Sequence, residues 1–433
     1  MTKKTIAAPA GVGVAKKGSG RTGRLLVRMD PKADWKDILK GVDGFVLERL
    51  RVGVIEASSA EQVRRMAAAK NSPFVVEEEE RRLRKMPADV SGGAGSSGSL
   101  GGGRSGGGSS GSGSSGSGRR GGGLPFGDSR VATWGVQAVN VLKSGFIGKG
   151  VKVAVLDTGF DFTHVDFADR AIHRKSFIGR QAIDKDGHGT HCAGVAVGGR
   201  RGRGGARYGV ASGARLYIGK ILDDAGEGSD GLALAGIEWA LEKGCRVISM
   251  SFGASPEEGD GYSAIFESVA QTVMAHRCLL IAATGNDSKR GRIAPVNHPA
   301  NCPSVMAVGA LTPAMKVAEF SCGGVGLAAA VGRGLSSEAT RGGRHVAGPG
   351  LDGGGQVDIA APGDMILSAK VGGGYIVESG TSMAAPFVAG VAALLWEQYP
   401  GASAWEIWAR LTQQAQRLAL PASAVGAGLV WVR

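Results

Sequence analysis

Between residues 91 and 123 the chain is almost wholly glycine and serine, with Arg104, Arg119 and Arg120 as the main interruptions. Such a stretch buries too little apolar surface to offset its ordering entropy. It predicts a flexible tether, with a mean reach of roughly 30 Å by random-coil scaling. Folding must therefore occur on either side of it. The expected division is a basic disordered tail over 1–23, a small α+β unit over 24–85, a Gly/Ser linker over 86–127 and a larger unit over 128–433.

The larger unit has the pattern of an α/β protein. Val151–Leu156 is largely apolar and bounded by Gly150 and Gly159, which predicts a central parallel strand with Asp157 at its carboxyl end. Tyr217–Leu222, Val247–Met250 and Cys278–Ala283 predict further strands. Helices are expected over Asp230–Lys243 and Met383–Tyr399, the second stopped by Pro400-Gly401. Ser403 and Glu406 make a capping box for a last amphipathic helix to about Ala415. The fold class is α/β, a central, mostly parallel sheet flanked by helices, and such sheets bind ligands at their carboxyl edge.

Three short motifs carry the chemistry: VAVLDTG with Asp157, HGTHCAG with His188, and GTSMAAPF with Ser382. A serine hydroxyl is a weak nucleophile at neutral pH and needs a base to take its proton. An imidazole can be that base, and a carboxylate fixes its tautomer and stabilises its charged form. In this order, the motifs resemble those of the subtilisin-like serine proteases, over about residues 128–433. The resemblance implies Asp157, His188 and Ser382 as the catalytic triad. AATGN at 282–286 is similar to the family's oxyanion-hole segment, which implies Asn286 as one donor and the Ser382 backbone N–H as the other. The implied substrate-binding residues are Gly226, Glu227 and Gly228 on one edge, Ser251, Phe252 and Gly253 on the other, and Thr284 and Gly285. A peptide would add between the two edges as a strand. The closing Gly-Leu-Val-Trp-Val-Arg resembles the family's last strand. The reaction expected is endopeptidase cleavage of polypeptide through an acyl-enzyme. The rivals are a silent scaffold of the same fold, against which every catalytic side chain is present, and a maturation protease for one cellular precursor.

His191, three residues after His188, reads as structural. A zinc pair on a helix needs histidines four apart with a glutamate between, and Gly189 and Thr190 stand here instead. No cofactor is expected. Many secreted relatives hold calcium in the turn after the histidine helix, but Gly198–Gly209 offers glycines and arginines without a carboxylate. Calcium wants anionic oxygen, so a tight site is expected to be absent, with weaker sites left open.

Ahead of the tether, Arg24–Met29 and Phe45–Ala57 read as strands, Ala33–Leu39 and Ala60–Ala69 as helices, and Pro73–Glu77 as a strand before a charged run. Ser58 and Glu61 suggest a capping box. This order fits a ferredoxin-like α+β sandwich. It also resembles the inhibitory prodomain of subtilisins, which implies an N-terminal unit that assists folding and fills the cleft in cis until cut away. The long tether departs from the family. Arg119-Arg120 is a candidate cut, and an N-terminal unit that stays attached as a regulatory domain is the alternative.

The net charge of +13 is concentrated in residues 1–127, where 22 Lys and Arg face 12 Asp and Glu, whereas the remainder has 29 against 26. Arg200–Arg207 alternates arginine with glycine but lacks the aromatic platforms that base stacking needs, so nucleic acid is not expected as a partner. Five cysteines make no disulfide framework. Cys192 reads as a small buried residue, while Cys302 and Cys322 remain open as a pair. No apolar run is long enough for a membrane span and none resembles a signal core, so the expected location is cytoplasmic, or exported without a recognisable signal.

Overall fold

The computed structural model describes residues 20–30, 35–68, 72–86, 126–202, 205–257, 261–324 and 355–433. Most of the expected tail and linker, with Arg119 and Arg120, lies outside these residues.

The N-terminal region contains β1 (Arg21–Met29), α1 (Trp35–Ile38), β2 (Gly44–Leu47), β3 (Val52–Ile55), α2 (Ala57–Ala67) and β4 (Phe74–Lys85). Its antiparallel strands lie in the order β4-β1-β3-β2, the split βαβ arrangement expected. Phe45–Ala57 is two strands, because a turn closing on Arg51 at φ 55° reverses the chain. Leu25, Val27 and Ile55 face a small core with Ala60 and Val63 of α2. Leu26, Val52 and Val54 alternate to the opposite face and join the core of the larger region. The sheet is thus covered on both sides.

Two local readings are corrected. β4 runs on through the charged residues to Lys85, since its second half pairs with strands of the larger region. The Ser58–Glu61 box does not form: α2 starts at Ala57 with Glu56 as N-cap, and the Ser58 hydroxyl donates to Asp43 Oδ2 at 3.0 Å.

The larger region contains α3 (Trp134–Ala138), β5 (Lys152–Asp157), β6 (His173–Ser176), α4 (His188–Val197), β7 (Arg215–Lys220), β8 (Glu227–Ser229), α5 (Asp230–Glu242), β9 (Val247–Met250), β10 (Phe252–Gly253), α6 (Ala264–Ala275), β11 (Leu279–Ala283), β12 (Met306–Leu311), β13 (Ile359–Pro362), β14 (Ile366–Ala369), β15 (Tyr375–Glu378), α7 (Thr381–Gln398), α8 (Ala404–Gln414) and α9 (Ala422–Val425). Seven strands form one parallel sheet in the order β13-β12-β11-β9-β5-β7-β6. Val153 and Val155 point to the layer of α4 and α7. Ala154 and Leu156 point to that of α5 and α6. Such alternation in a continuous apolar strand is what burial on both faces demands. The chain extends the sheet toward β6 on one side of β5 and toward β13 on the other, so its direction reverses next to β5, where a cleft opens at the carboxyl ends.

The capping box at α8 forms: Ser403 Oγ accepts the Glu406 N–H at 3.2 Å and Glu406 Oε2 accepts the Ser403 N–H at 2.7 Å. That helix is not the last, since α9 follows. The terminal Gly-Leu-Val-Trp-Val-Arg is not a regular strand: Leu429 makes only isolated bridges, to Ala360 and Gln416. All five cysteines are buried free thiols, Cys302 and Cys322 among them.

Candidate active site

Asp157 ends β5 and His188 opens α4, and the two meet at the carboxyl edge of the sheet. His188 Nδ1 lies 2.8 Å from Asp157 Oδ1, which also accepts the Thr158 N–H at 2.7 Å. A carboxylate at Nδ1 places the proton there and leaves Nε2 as the basic nitrogen. Burial, the largest single influence, pushes the His188 ring down, but the Asp157 charge and hydrogen bond, together with Cys192, outweigh it and hold His188 well above its ordinary value.

A buried carboxylate absent from the sequence reading, Asp184, fixes the loop before α4. It accepts from Thr158 Oγ1, the Gly187 N–H, and both the N–H and hydroxyl of Thr190, at 2.7 to 3.0 Å. Its signal is position, four residues before His188. His191 is neutral: burial takes it down to about 3, and its Nε2 meets the Ile366 carbonyl at 3.0 Å. Burial likewise pushes the Cys192 thiol up to about 11.

Ser382 is the second residue of α7. Four residues on stands Pro386, which has no N–H to give the Ser382 carbonyl. That carbonyl instead accepts the Ser251 hydroxyl at 2.8 Å and the Cys192 thiol at 3.4 Å. Ser382 Oγ in turn lies 3.0 Å from the Ser251 carbonyl. The proline therefore frees an acceptor that pins the turn carrying Ser382 to the strand end after β9, a role not read from the sequence. Asn286 follows β11. Its Oδ1 accepts the N–H and hydroxyl of Thr381, both at 2.9 Å, which orients the amide and turns Nδ2 into the cleft. Thr381 Oγ1 is itself fixed by the Gly285 N–H at 3.1 Å. Gly285 thus supports Asn286 from behind, while the buried Thr284 hydroxyl has no partner among the described residues.

The cleft between β8 and β10 is filled by residues 82–86 of the same chain. Arg82, Leu83 and Arg84 pair antiparallel with Ser229, Gly228 and Glu227, and Arg84 and Lys85 with Gly253 and Phe252. Leu83 is fully buried, a gain of about 2 kcal/mol for such a side chain. Met86 ends the segment. Its carbonyl accepts Ser382 Oγ at 2.7 Å and also Asn286 Nδ2; the expected Ser382 backbone N–H is not among these donors. Among the described residues His188 Nε2 is buried with no partner, so in this occupied state no hydrogen bond joins it to Ser382. A Cβ on Gly253 would collide with the Met86 methyl and the His298 carbonyl.

Two glutamates of the charged run on β4 cap helices of the larger region. Glu80 Oε1 accepts the Gly231 N–H at 2.8 Å at the start of α5, and Glu78 takes the Ser263 hydroxyl and Ile265 N–H at the start of α6. Carboxylates at helix N-termini meet orphan N–H groups and the positive end of the dipole. Glu80 is also held by Arg24 through two nitrogens, at 2.6 and 2.8 Å.

Comparison with known proteins agrees with this geometry. The subtilase family model (peptidase S8) matches residues 148–428. A thermostable alkaline protease of Halalkalibacterium halodurans is 34% identical over 70% of this chain and 73% of its own length. Subtilisin of Bacillus pumilus is 32% identical over 64% of this chain and 86% of its own. The solved structure of sphericase superposes with a TM-score of 0.56 at 27% identity, covering 71% of this chain and all of sphericase. The chain belongs to the subtilase family and is a subtilisin-like serine endopeptidase.

Proposed function

We propose that this endopeptidase restrains itself with its own N-terminal region and that its residues act as follows. His188 Nε2 takes the Ser382 proton as the hydroxyl attacks a peptide carbonyl. Asp157 holds the imidazole tautomer and stabilises the imidazolium without itself taking the proton. Asn286 Nδ2 donates to the oxyanion, and His188 returns the proton to the leaving amine. Water then repeats the sequence on the acyl-enzyme. The observation that carries the self-restraint is the Met86 carbonyl, held by both Ser382 Oγ and Asn286 Nδ2 while residues 82–85 complete a strand between the cleft edges. A substrate would bind its carbonyl to the same two side chains. The covering is complete enough to leave His188 3% and Ser382 0% exposed.

The turn after α4 has donors that do not fit a calcium ion. The Gly209 and Val210 carbonyls are taken by the Arg207 guanidinium, and those of Val197 and Ala214 by Arg170. The nearby Asp166 carboxylate is satisfied by the Tyr208 and Tyr375 hydroxyls and the Gly202 N–H. Among the described residues of this turn, guanidinium supplies the positive charge.

The test is mass spectrometry of the purified full chain beside Ser382→Ala, with labelling by a serine-directed fluorophosphonate. Labelling and self-processing confined to the unsubstituted chain are expected. Equal processing in both would defeat the self-restrained precursor, and absence of labelling would defeat the assignment of Ser382.

A further inference from the structure

If residues 82–86 lie as a substrate lies, a reading on which this inference rests, each side chain reports on a subsite. Lys85 directly precedes Met86, whose carbonyl Ser382 holds, and is thus the second residue before the bond that would be cut. Its ammonium pairs with Asp186 Oδ2, with the lysine side chain 26% and the aspartate side chain 11% exposed. Its stem lies on Gly226, where a Cβ would come within 2.7 Å of Lys85 Cδ and Cγ. The Lys85 N–H also donates to the Gly226 carbonyl at 2.9 Å. A glycine clears room for the methylenes and a carboxylate meets the head.

Asp186 is built to wait there. Its Oδ1 accepts the His188 N–H at 3.2 Å and its own N–H is tied to Asp184 at 3.1 Å. Among the described residues its one ion pair is with Lys85. Asp224, by contrast, is already matched by Lys220 and Lys185 within this region. Glu378 feels the same charge: burial raises its carboxyl, and the charges of His188 and then Lys85 act against that. At the neighbouring position, Arg84 and Glu227 pair loosely at 3.6 Å with both side chains largely exposed, so discrimination there is weak.

We propose that Asp186 is the specificity-determining residue that selects lysine or arginine at the second position before the cut, in extended substrates with leucine two residues earlier and a methionine-sized residue at the cut.

The experiment uses the full chain and its Asp186→Asn variant with two fluorogenic peptides, Leu-Ala-Lys-Met and Leu-Ala-Gln-Met, amide-linked to the reporter. The expected kcat/KM ratio of lysine to glutamine peptide is about tenfold, falling to about one in the variant, as a partly desolvated charge-assisted bond implies. A ratio near one in the unsubstituted chain, or one that survives Asp186→Asn, overturns the proposal while leaving the endopeptidase intact. Failure to cleave either peptide or to label Ser382 after self-processing has released residues 82–86 overturns the catalytic reading instead. In the Ser382→Ala chain, where no cleavage enters, Lys85→Gln and Asp186→Asn should shift the melting temperature non-additively. Strict additivity there also counts against the pairing.

Discussion

The two folded regions use charge in opposite ways. In the larger one, the buried acids Asp157 and Asp184 bond to neighbours within its own loops, Asp157 through Oδ1, and its motifs keep their meaning when read alone. In the smaller one, Glu78 and Glu80 sit in a run, Glu77–Glu80, that resembles solvated surface. Their partners lie about 150 to 190 residues away, on α5 and α6. An active site is self-contained because its geometry must be held when substrate leaves. The small region's acids divide their bonds: Glu80 is held by Arg24 of its own sheet and Glu78 by Arg81, while the helix N-termini they cap belong to the larger region.

The strongest way to break this comparison is at Asn286. Asn286→Ala should lower kcat by about 10²–10³ with little change in KM, the size of loss that follows removal of an oxyanion-hole asparagine in a subtilisin. Steady-state kinetics on a short peptide would check it. A fall below about threefold would mean that other donors carry the oxyanion. Glu80→Gln comes next. It leaves the Arg24 guanidinium, 8% exposed, without its two-point partner and weakens the cap on α5. Removing one member of a buried pair costs about 3 kcal/mol. Denaturant unfolding in the Ser382→Ala chain reads the cost, and the active chain should gain hydrolysis of added peptide as residues 82–86 loosen. Unchanged stability would show that the small region is self-contained too.

The same contrast explains what is legible in the sequence. Parallel strands, the long buried helix and the three motif residues can be read because a run of apolar residues and a motif are local patterns. The orienting groups are harder. Thr381 and Asp184 act through partners 95 and 26 residues away, although both flank readable motifs. The end of β4 escapes such a reading because its apolar and charged residues obey a periodicity imposed by β8 and β10, which no window around residue 80 contains. The C-terminal residues look strand-like in composition, yet their bonds go to separate segments at Ala360 and Gln416.

A smaller effect belongs to the larger region alone. Asp358 is buried with the Ala307 N–H as its bond, and burial raises its carboxyl from 3.8 to about 7. A raised folded value disfavours the charged form. Its contribution to stability is fully present below about pH 4 and is lost as pH rises through 7. Asp358→Asn removes that loss, so the variant should be more stable than the parent at pH 8 and no better at pH 4. Melting curves of the Ser382→Ala chain at the two pH values test it. An advantage of equal size at both would point to packing and not to ionisation.

The smallest effect compares one sequence pattern in the two regions. Ser-x-x-Glu occurs at Ser58 and at Ser403, but only the second closes a capping box. At Ser58 the helix begins one residue too early, because the Glu56 N–H is drawn to the Asp43 carbonyl at 2.9 Å and Glu56 becomes the N-cap. Ser403→Ala should therefore cost about 1 kcal/mol, the usual worth of a cap. Ser58→Ala gives up only a solvent-exposed bond to Asp43, which is worth less. Unfolding of the two variants in the inactive background settles the order. A larger loss at Ser58 would mean that its bond to Asp43 holds the approach to α2 more firmly than the cap holds α8.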